Sequence, residues 1–469
     1  MWLINVRTRQ LEEFFGLDVP RYAILSHTWA TGEEVTFQEM RHPEAAAPAS
    51  LLKAGWMKID HTCQQAAQDG LEYAWVDTCC IDKSSSAELS EAINSMFRWY
   101  ERAALCYVFL QDLTEFSWGE DKDVRGLELS VKHCRWFTRS WTLQELIAPL
   151  HMKFFDRDWR FCFTKAVASV ALSKITGIDF GVLSHHIDLS AVSVAQKMSW
   201  AGTRQATRKE DVAYSLLGIF GINMPMLYGE EERAFLRLQA EIISTCPDTT
   251  IFAWSLPRDD GEGALQDPRK QYPGAAMVTS LPPRGDCRET LQDPKKKYGG
   301  VMASSPAFFR PCAEAASLSG KSAYDFSLSN RGIKLRAQFG MLHLKDTNNK
   351  CLVLPVCRIR DVVFGIRMRN TGGSCFVRQD AHSLFRVGPR ELAHRLVFEP
   401  YLLKEIRPEQ TEKSIVMNSR HCVLEVVLPG NMEVYGRWPW HEWDEQDAVF
   451  FGPKRPPEDL GWASLKIVT

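Results

Sequence analysis

From Tyr22 to about Trp159, short apolar runs alternate with helix-length amphipathic stretches, the pattern of a sheet with helices packed on it. YAILSHTW (22–29) and EYAWVD (72–77) read as buried strands, and ALCYVFL (104–110) and MKFFD (152–156) as two more. Between the first two, Trp56, Ile59, Cys63, Ala66 and Ala67 recur at helical spacing, and Gly70 is placed to turn the chain out of that helix. A second helix is predicted from Ser85, whose hydroxyl can cap while Glu88 reaches back. It carries Leu89, Ile93, Met96, Phe97 and Tyr100 on one stripe.

From about Thr164 to Thr245 the period is helical, with Leu216, Ile219 and Phe220 on one segment and Phe235, Leu238 and Ile242 on another, parted by Pro225 and Gly229. Beyond Ile251, runs such as YDFSLS, IKLRAQF, CLVLPVCRI, VVFGIRM and CVLEVVL alternate between turn signals. An imperfect duplication, residues 255–277 against 280–302, reads as an expanded surface loop. The expected division is an α/β domain at 1–163, a helical connector at 164–246 packing on it, a Pro/Gly-rich linker at 247–310 and a β-rich domain at 311–469.

Composition narrows the classes. A chain of 469 residues, 45% hydrophobic and 24% charged, is long and apolar enough to fold in several units, which excludes a disulfide mini-protein and wholesale disorder. Lys plus Arg number 56 against 58 Asp plus Glu, a net charge of −2, so no global positive field exists to hold nucleic acid. No stretch has the length of a membrane span, and Arg7, Arg9, Glu12 and Glu13 stand where a signal peptide needs apolar residues. Thirteen cysteines without a C-x-x-C pair suit reduced thiols, so a cytoplasmic protein without structural metal is expected.

The densest chemistry lies in CRWFTRSWTLQELIAPL (134–150). With a helix starting near Ser140, Leu143, Leu146, Ile147 and Leu150 share one face while Trp141 and Glu145 lie together on the other. Such a carboxylate stands beside the carboxyl ends of the strands, where open α/β sheets bind ligands. Equally, Thr142-x-x-Glu145 is a capping-box pattern, in which Glu145 would only satisfy a backbone N–H. Ser26, His27, Thr28 and Trp29 end the first strand and Asp77 the second, an arrangement suited to a polar ligand with a planar ring. The alternatives are a packing role for Ser26, core aromatics at Trp29 and Trp75, and a turn cap at Asp77.

Other motifs carry less. Ser26, His27 and Asp77 do not make a hydrolase triad, because there is no G-x-S-x-G elbow and His27 projects to the opposite strand face. Asp77 and Asp82 would raise the thiol pKa of Cys79 or Cys80, so these read as structural. No P-loop is present, and WPWHEW (438–443) reads as packing or a surface loop.

YAILSHTW (22–29), YAWVDTCCIDKSSSAELSEAINSMFRWYERA (73–103), CRWFTRSWTLQELIAP (134–149), TRKEDVAYSLLGIFGINMPMLYGEEERAFLRLQAEII (207–243) and IFAW (251–254) together resemble the fungal heterokaryon-incompatibility (HET) domain proteins over about half the chain. His27 and Thr28 depart from many relatives, and the first loop copy before residue 280 looks like an insertion. HET domains are in turn similar to Toll/interleukin-receptor (TIR) domains, several of which cleave NAD at the nicotinamide glycosidic bond in cell-death signalling. The resemblance implies a TIR-like, mostly parallel sheet with flanking helices and puts the catalytic carboxylate on Glu145. Ser26, Trp29, Asp77 and Trp141 then line the pocket. NAD or a related nucleotide is the implied partner, consumed as substrate, with neither metal nor resident cofactor and with self-association or a protein partner controlling activity. The alternatives are a non-catalytic allorecognition module that signals cell death by association, and a domain that binds nucleotide without turnover.

Overall fold

The computed structural model describes residues 1–256 apart from 17, 43–52, 115 and 117–123, then 298–318, and beyond these 325–329, 332–336, 342–344, 351–372, 375–387, 401–402, 404, 433–434 and 465–466. The chain divides into two compact units, Met1–Val192 with Trp200–Leu238, and Ser193–Ser199 with Gln239–Thr469.

The first unit is built on strands β1 (Trp2–Asn5), β2 (Leu11–Glu13), β3 (Tyr22–His27), β4 (Tyr73–Trp75), β5 (Leu105–Phe109), β6 (Met152–Phe155) and β7 (Phe161–Thr164), in the spatial order β2-β1-β4-β3-β5-β6-β7. The four strands read from the sequence, β3 to β6, form the centre and pair in parallel. All six residues of β3 are buried, as a strand covered on both faces requires, the polar Ser26 and His27 at its end included. The expectation of a mostly parallel sheet holds only for this centre. The edge pairs β1–β2, β1–β4 and β6–β7 are antiparallel, so the sheet as a whole is mixed.

Helices α1 (Phe37–Arg41) and α2 (Ala54–Gln68) lie in the β3–β4 connection, and α3 (Ser86–Arg102) links β4 to β5. Helix α2 buries Ile59, Cys63 and Ala66, and Gly70 follows it at φ +73°, a left-handed turn that suits glycine. Ser85 caps α3 by accepting from the Glu88 N–H. The Glu88 carboxylate does not close a capping box; it accepts from the Asp82 N–H instead. Helix α4 (Val124–Val131), a 3-10 turn at Arg135–Thr138 and helix α5 (Thr142–Ile147) connect β5 to β6. Because β3 is central and the chain crosses from β4 on one side of it to β5 on the other, the switch point of the winding falls at the carboxyl ends of β3 and β5.

Short helices follow the sheet: α6 (Lys165–Thr176), α7 (Phe180–Leu183), α8 (Val194–Ala201), α9 (Asp211–Tyr214), α10 (Leu217–Phe220) and α11 (Arg233–Thr245). Gly218 of α10 lets this helix approach α3 so closely that a Cβ there would lie 2.1 Å from the Phe97 Cβ.

The second unit is β-rich, with β8 (Tyr298–Gly299), β9 (Ala315–Ala316), β10 (Asp325–Ser329), β11 (Gly332–Arg336), β12 (Leu342–Leu344), β13 (Cys351–Ile359), β14 (Val362–Gly372), β15 (Cys375–Gln379), β16 (Phe385–Val387) and β17 (Tyr401–Leu402) in one sheet. Alternating Leu354, Val356, Ile366, Met368 and Phe376 supply its core. The Thr249 hydroxyl donates to the Val356 carbonyl at 2.7 Å, fastening the segment before the sheet to it. Most of the duplicated loop, the CVLEVVL run and WPWHEW lie outside the described residues. Among the described residues no helix is long and apolar enough to cross a membrane.

Candidate functional site

Residues 26 and 27 end β3 and therefore point to opposite faces of the sheet, and each organises its own polar cluster. On one face, the Ser26 hydroxyl donates to Glu145 Oε2 at 2.5 Å and accepts from the Trp136 indole N–H at 2.8 Å. Ser26, Trp136 and Glu145 are all buried. Trp136 sits in the 3-10 turn before α5, so one short segment supplies both the carboxyl group and the indole that orients the serine bound to it.

Glu145 is not a cap. The residue at the N-cap of α5 is Trp141, which makes no side-chain cap bond, and the Thr142 hydroxyl donates to the carbonyls of Trp136 and Arg139. Tyr100 of α3 donates to the Leu25 carbonyl at 3.0 Å and also hydrogen-bonds Glu145. Burial, with the charge of Asp77 acting in the same direction, raises the Glu145 carboxyl to about 8 against the opposing pull of Ser26, Tyr100 and the Arg204 guanidinium. A carboxylic acid poised near neutrality at the switch point of the parallel inner strands is the arrangement found in sites that shuttle or develop charge.

Arg204 brings a positive charge to this face. Its Nη1 donates to the Arg139 carbonyl at 2.9 Å and to Thr142 Oγ1 at 2.8 Å, which ties it to the first turn of α5. Three buried atoms on residues of this region, Asp77 Oδ1, Gln144 Nε2 and Arg204 Nη2, have no protein hydrogen-bond partner. Such orphaned groups are rare in folded chains and concentrate where a polar ligand or water is received.

On the other face, His27 stands between two carboxylates, its Nε2 3.5 Å from Glu34 and its Nδ1 3.9 Å from Asp77. Burial pushes the Glu34 carboxyl up, but His27, the Lys58 ammonium and the Ala30 N–H outweigh it and hold the group down at about 2. Lys58 Nζ lies 2.5 Å from Glu34 and donates to the Thr28 carbonyl. At the rim, Trp29 is 46% exposed and its indole N–H donates to Asp77 Oδ2 at 2.9 Å. Lys83 Nζ lies 3.9 Å from the centre of the Trp29 ring.

Of the five residues singled out in the sequence, Ser26 and Glu145 are in direct contact, Asp77 acts on Glu145 through its charge and bonds Trp29, and Trp141 turns to a different partner. The Trp141 side chain hydrogen-bonds Asp211 at the start of α9. The triad of Ser26, His27 and Asp77 does not assemble, because Ser26 is committed to Glu145. Cys79 and Cys80 are buried, and burial together with Cys80 and Asp77 pushes the Cys79 thiol well up, as for structural thiols. Sequence reasoning missed Trp136, Tyr100, Arg204, Lys83 and the cluster of Glu34 and Lys58. Trp136 and Tyr100 stood inside quoted motifs as apolar residues, whereas nothing local marks Arg204.

Residues 22–125 match the family described as Heterokaryon incompatibility protein (HET), and residues 233–354 match a domain of unknown function (DUF8212). The first match contains Ser26, Trp29 and Asp77 and ends before Trp136 and Glu145. Over 226 residues the chain is 45% identical to Vegetative incompatibility protein HET-E-1 of Podospora anserina, a stretch covering 48% of this chain and 16% of that protein. This chain therefore spans a small part of that relative's length. No solved structure matches.

Proposed function

We propose that this chain acts in heterokaryon-incompatibility cell death, and that its first unit cleaves the nicotinamide glycosidic bond of NAD with Glu145 as the catalytic carboxylate. The match to the HET family and the likeness to HET-E-1 support the biological role. The observation that carries the chemistry is Glu145 itself, a buried acid held by Ser26 at the switch point of the parallel strands. In the absence of ligand its carboxyl is raised to about 8, so at neutral pH it is mostly protonated. A cationic pyridinium brought beside it favours the ionised form, and the carboxylate then faces a ribose whose anomeric carbon becomes positive as nicotinamide leaves.

The C–N bond breaks with its electron pair going to the ring nitrogen, so nicotinamide departs neutral without a general acid. Water adds to the anomeric carbon and loses a proton, giving ADP-ribose; an internal hydroxyl as acceptor gives a cyclised product instead. NAD is consumed as substrate, and the reaction as written calls on neither metal nor resident cofactor. Ser26 and Trp136 orient the carboxylate, while Asp77 and Trp29 border its approach. Association of copies or binding of a partner protein is the proposed control.

A second reading, a non-catalytic module signalling through partner binding, is favoured by the enclosure of Glu145, which is only 5% exposed. Nicotinamide release from NAD by the purified chain at high protein concentration separates the two. The catalytic reading expects release that falls about a hundred- to a thousandfold in Glu145→Gln. Equal release from both chains refutes the role of Glu145, and release from neither favours the interaction module.

A further inference from the structure

The rim of the site carries a pairing that the catalytic reading does not use. Trp29 is half exposed, its indole is locked edge-on by the bond from its N–H to Asp77, and one face of the ring is occupied by the Lys83 ammonium at 3.9 Å. An aromatic face beside a carboxylate is a cation site, because the ring quadrupole and the negative charge act in the same direction. Lys83 is an exposed side chain on the segment between β4 and α3, so its four-carbon stem can swing away without unpacking the core.

We infer that the Trp29 face and Lys83 form a two-part subsite, in which the cationic nicotinamide ring of oxidised NAD replaces the Lys83 ammonium on the indole and the displaced ammonium pairs with the diphosphate. The inference rests on the NAD reading and adds to it the surface that receives the nicotinamide ring and the residue that meets its phosphates. The exchange puts one cation where another stood, so the positive charge facing Trp29 and Asp77 is conserved. A ring without charge, as in reduced NAD, gains the stacking but leaves Asp77 and the indole face without their cation.

The test is calorimetric titration of oxidised NAD, reduced NAD and ADP-ribose into the full chain carrying Glu145→Gln, so that turnover does not consume the ligand. Oxidised NAD is expected to bind at least about threefold tighter than reduced NAD. Adding Lys83→Ala weakens all three ligands by about three- to tenfold, since all carry the diphosphate, and Lys83→Arg restores them. Adding Trp29→Ala abolishes the preference for the oxidised form. Equal affinity for the two redox forms, or unchanged binding in Lys83→Ala while ADP-ribose still binds, overturns the inference and leaves the NAD reading standing. Binding of none of the three at millimolar concentration overturns both.

Discussion

Replacing Glu145 by glutamine removes an ionisation while keeping the shape of the side chain, and the structure fixes both the sign and the size of the effect on stability. Burial holds this carboxyl at about 8 against an ordinary 4.5, so between those two pH values the folded chain keeps a proton that the unfolded chain has released. Stability therefore falls as pH rises through that window. Nothing is lost below 4.5 and the full penalty is present above 8. At about 1.4 kcal/mol per tenfold change in proton affinity, the penalty reaches about 4–5 kcal/mol. Glu145→Gln escapes it.

The variant is expected to match the parent at pH 5 and to exceed it increasingly toward pH 9. About 4–5 kcal/mol corresponds to a rise of roughly 10–15 °C in the unfolding temperature of a unit of this size. Scanning calorimetry of both chains from pH 5 to 9, read as the difference in melting temperature, cancels every titration they share. A difference that does not change with pH refutes the burial argument, whatever its value at any single pH.

Three further outcomes follow from the packing. Ser26→Ala leaves the Trp136 indole without an acceptor and takes from Glu145 its serine hydrogen bond, with Tyr100 still in contact, so denaturant unfolding should show a loss of about 1–3 kcal/mol; an unchanged midpoint would mean that the serine is replaceable. Gly218→Ala drives a methyl group into Phe97 and is expected to cost about 1–3 kcal/mol by the same measurement, with no change indicating that α10 moves freely from α3. Lys165, buried against the carbonyls of Ile147 and Pro149, has its ammonium pulled down to about 7 by burial, so the unfolded chain binds the extra proton between 7 and 10.5 and stability rises with pH there. Lys165→Met should remove a rise on the order of 4 kcal/mol across that window, measured as the difference from the parent at pH 7 and pH 10.

The four inner strands were legible because each is built round a short, mainly apolar run, and Gly70 and Ser85 marked their helix ends by chemistry that works locally. The edge strands escaped. Leu11–Glu13 is only partly buried, and Phe161 is exposed on the last strand, so neither carries the pattern of a strand covered on both faces. The helical wheel of α5 set Trp141 and Glu145 on a polar face, yet all six residues of the helix are buried. Periodicity assumes one wet side. Here that side is covered by β3, by Tyr100 and by Arg204 from a segment some sixty positions later, and no local rule reports such a cover. Thr142 and Glu145 had the capping-box spacing, but the Thr142 hydroxyl is engaged by the nearby Trp136 and Arg139 carbonyls and by Arg204, and Glu145 by Ser26 and Tyr100.

The wide spacing of these partners along the chain also sets a timetable for biosynthesis. Ser26 and Glu145 are 119 positions apart, and Arg204 follows Thr142 by 62. At about 5–20 residues per second, a ribosome delivers Glu145 roughly 6–24 s after Ser26 and Arg204 several seconds later still. The inner strands can pair on the nascent chain before the guanidinium that opposes the buried acid has been made. The acidic centre thus matures only after the strands that hold it have been made, and a polypeptide stalled between these positions presents a sheet with an unfinished core.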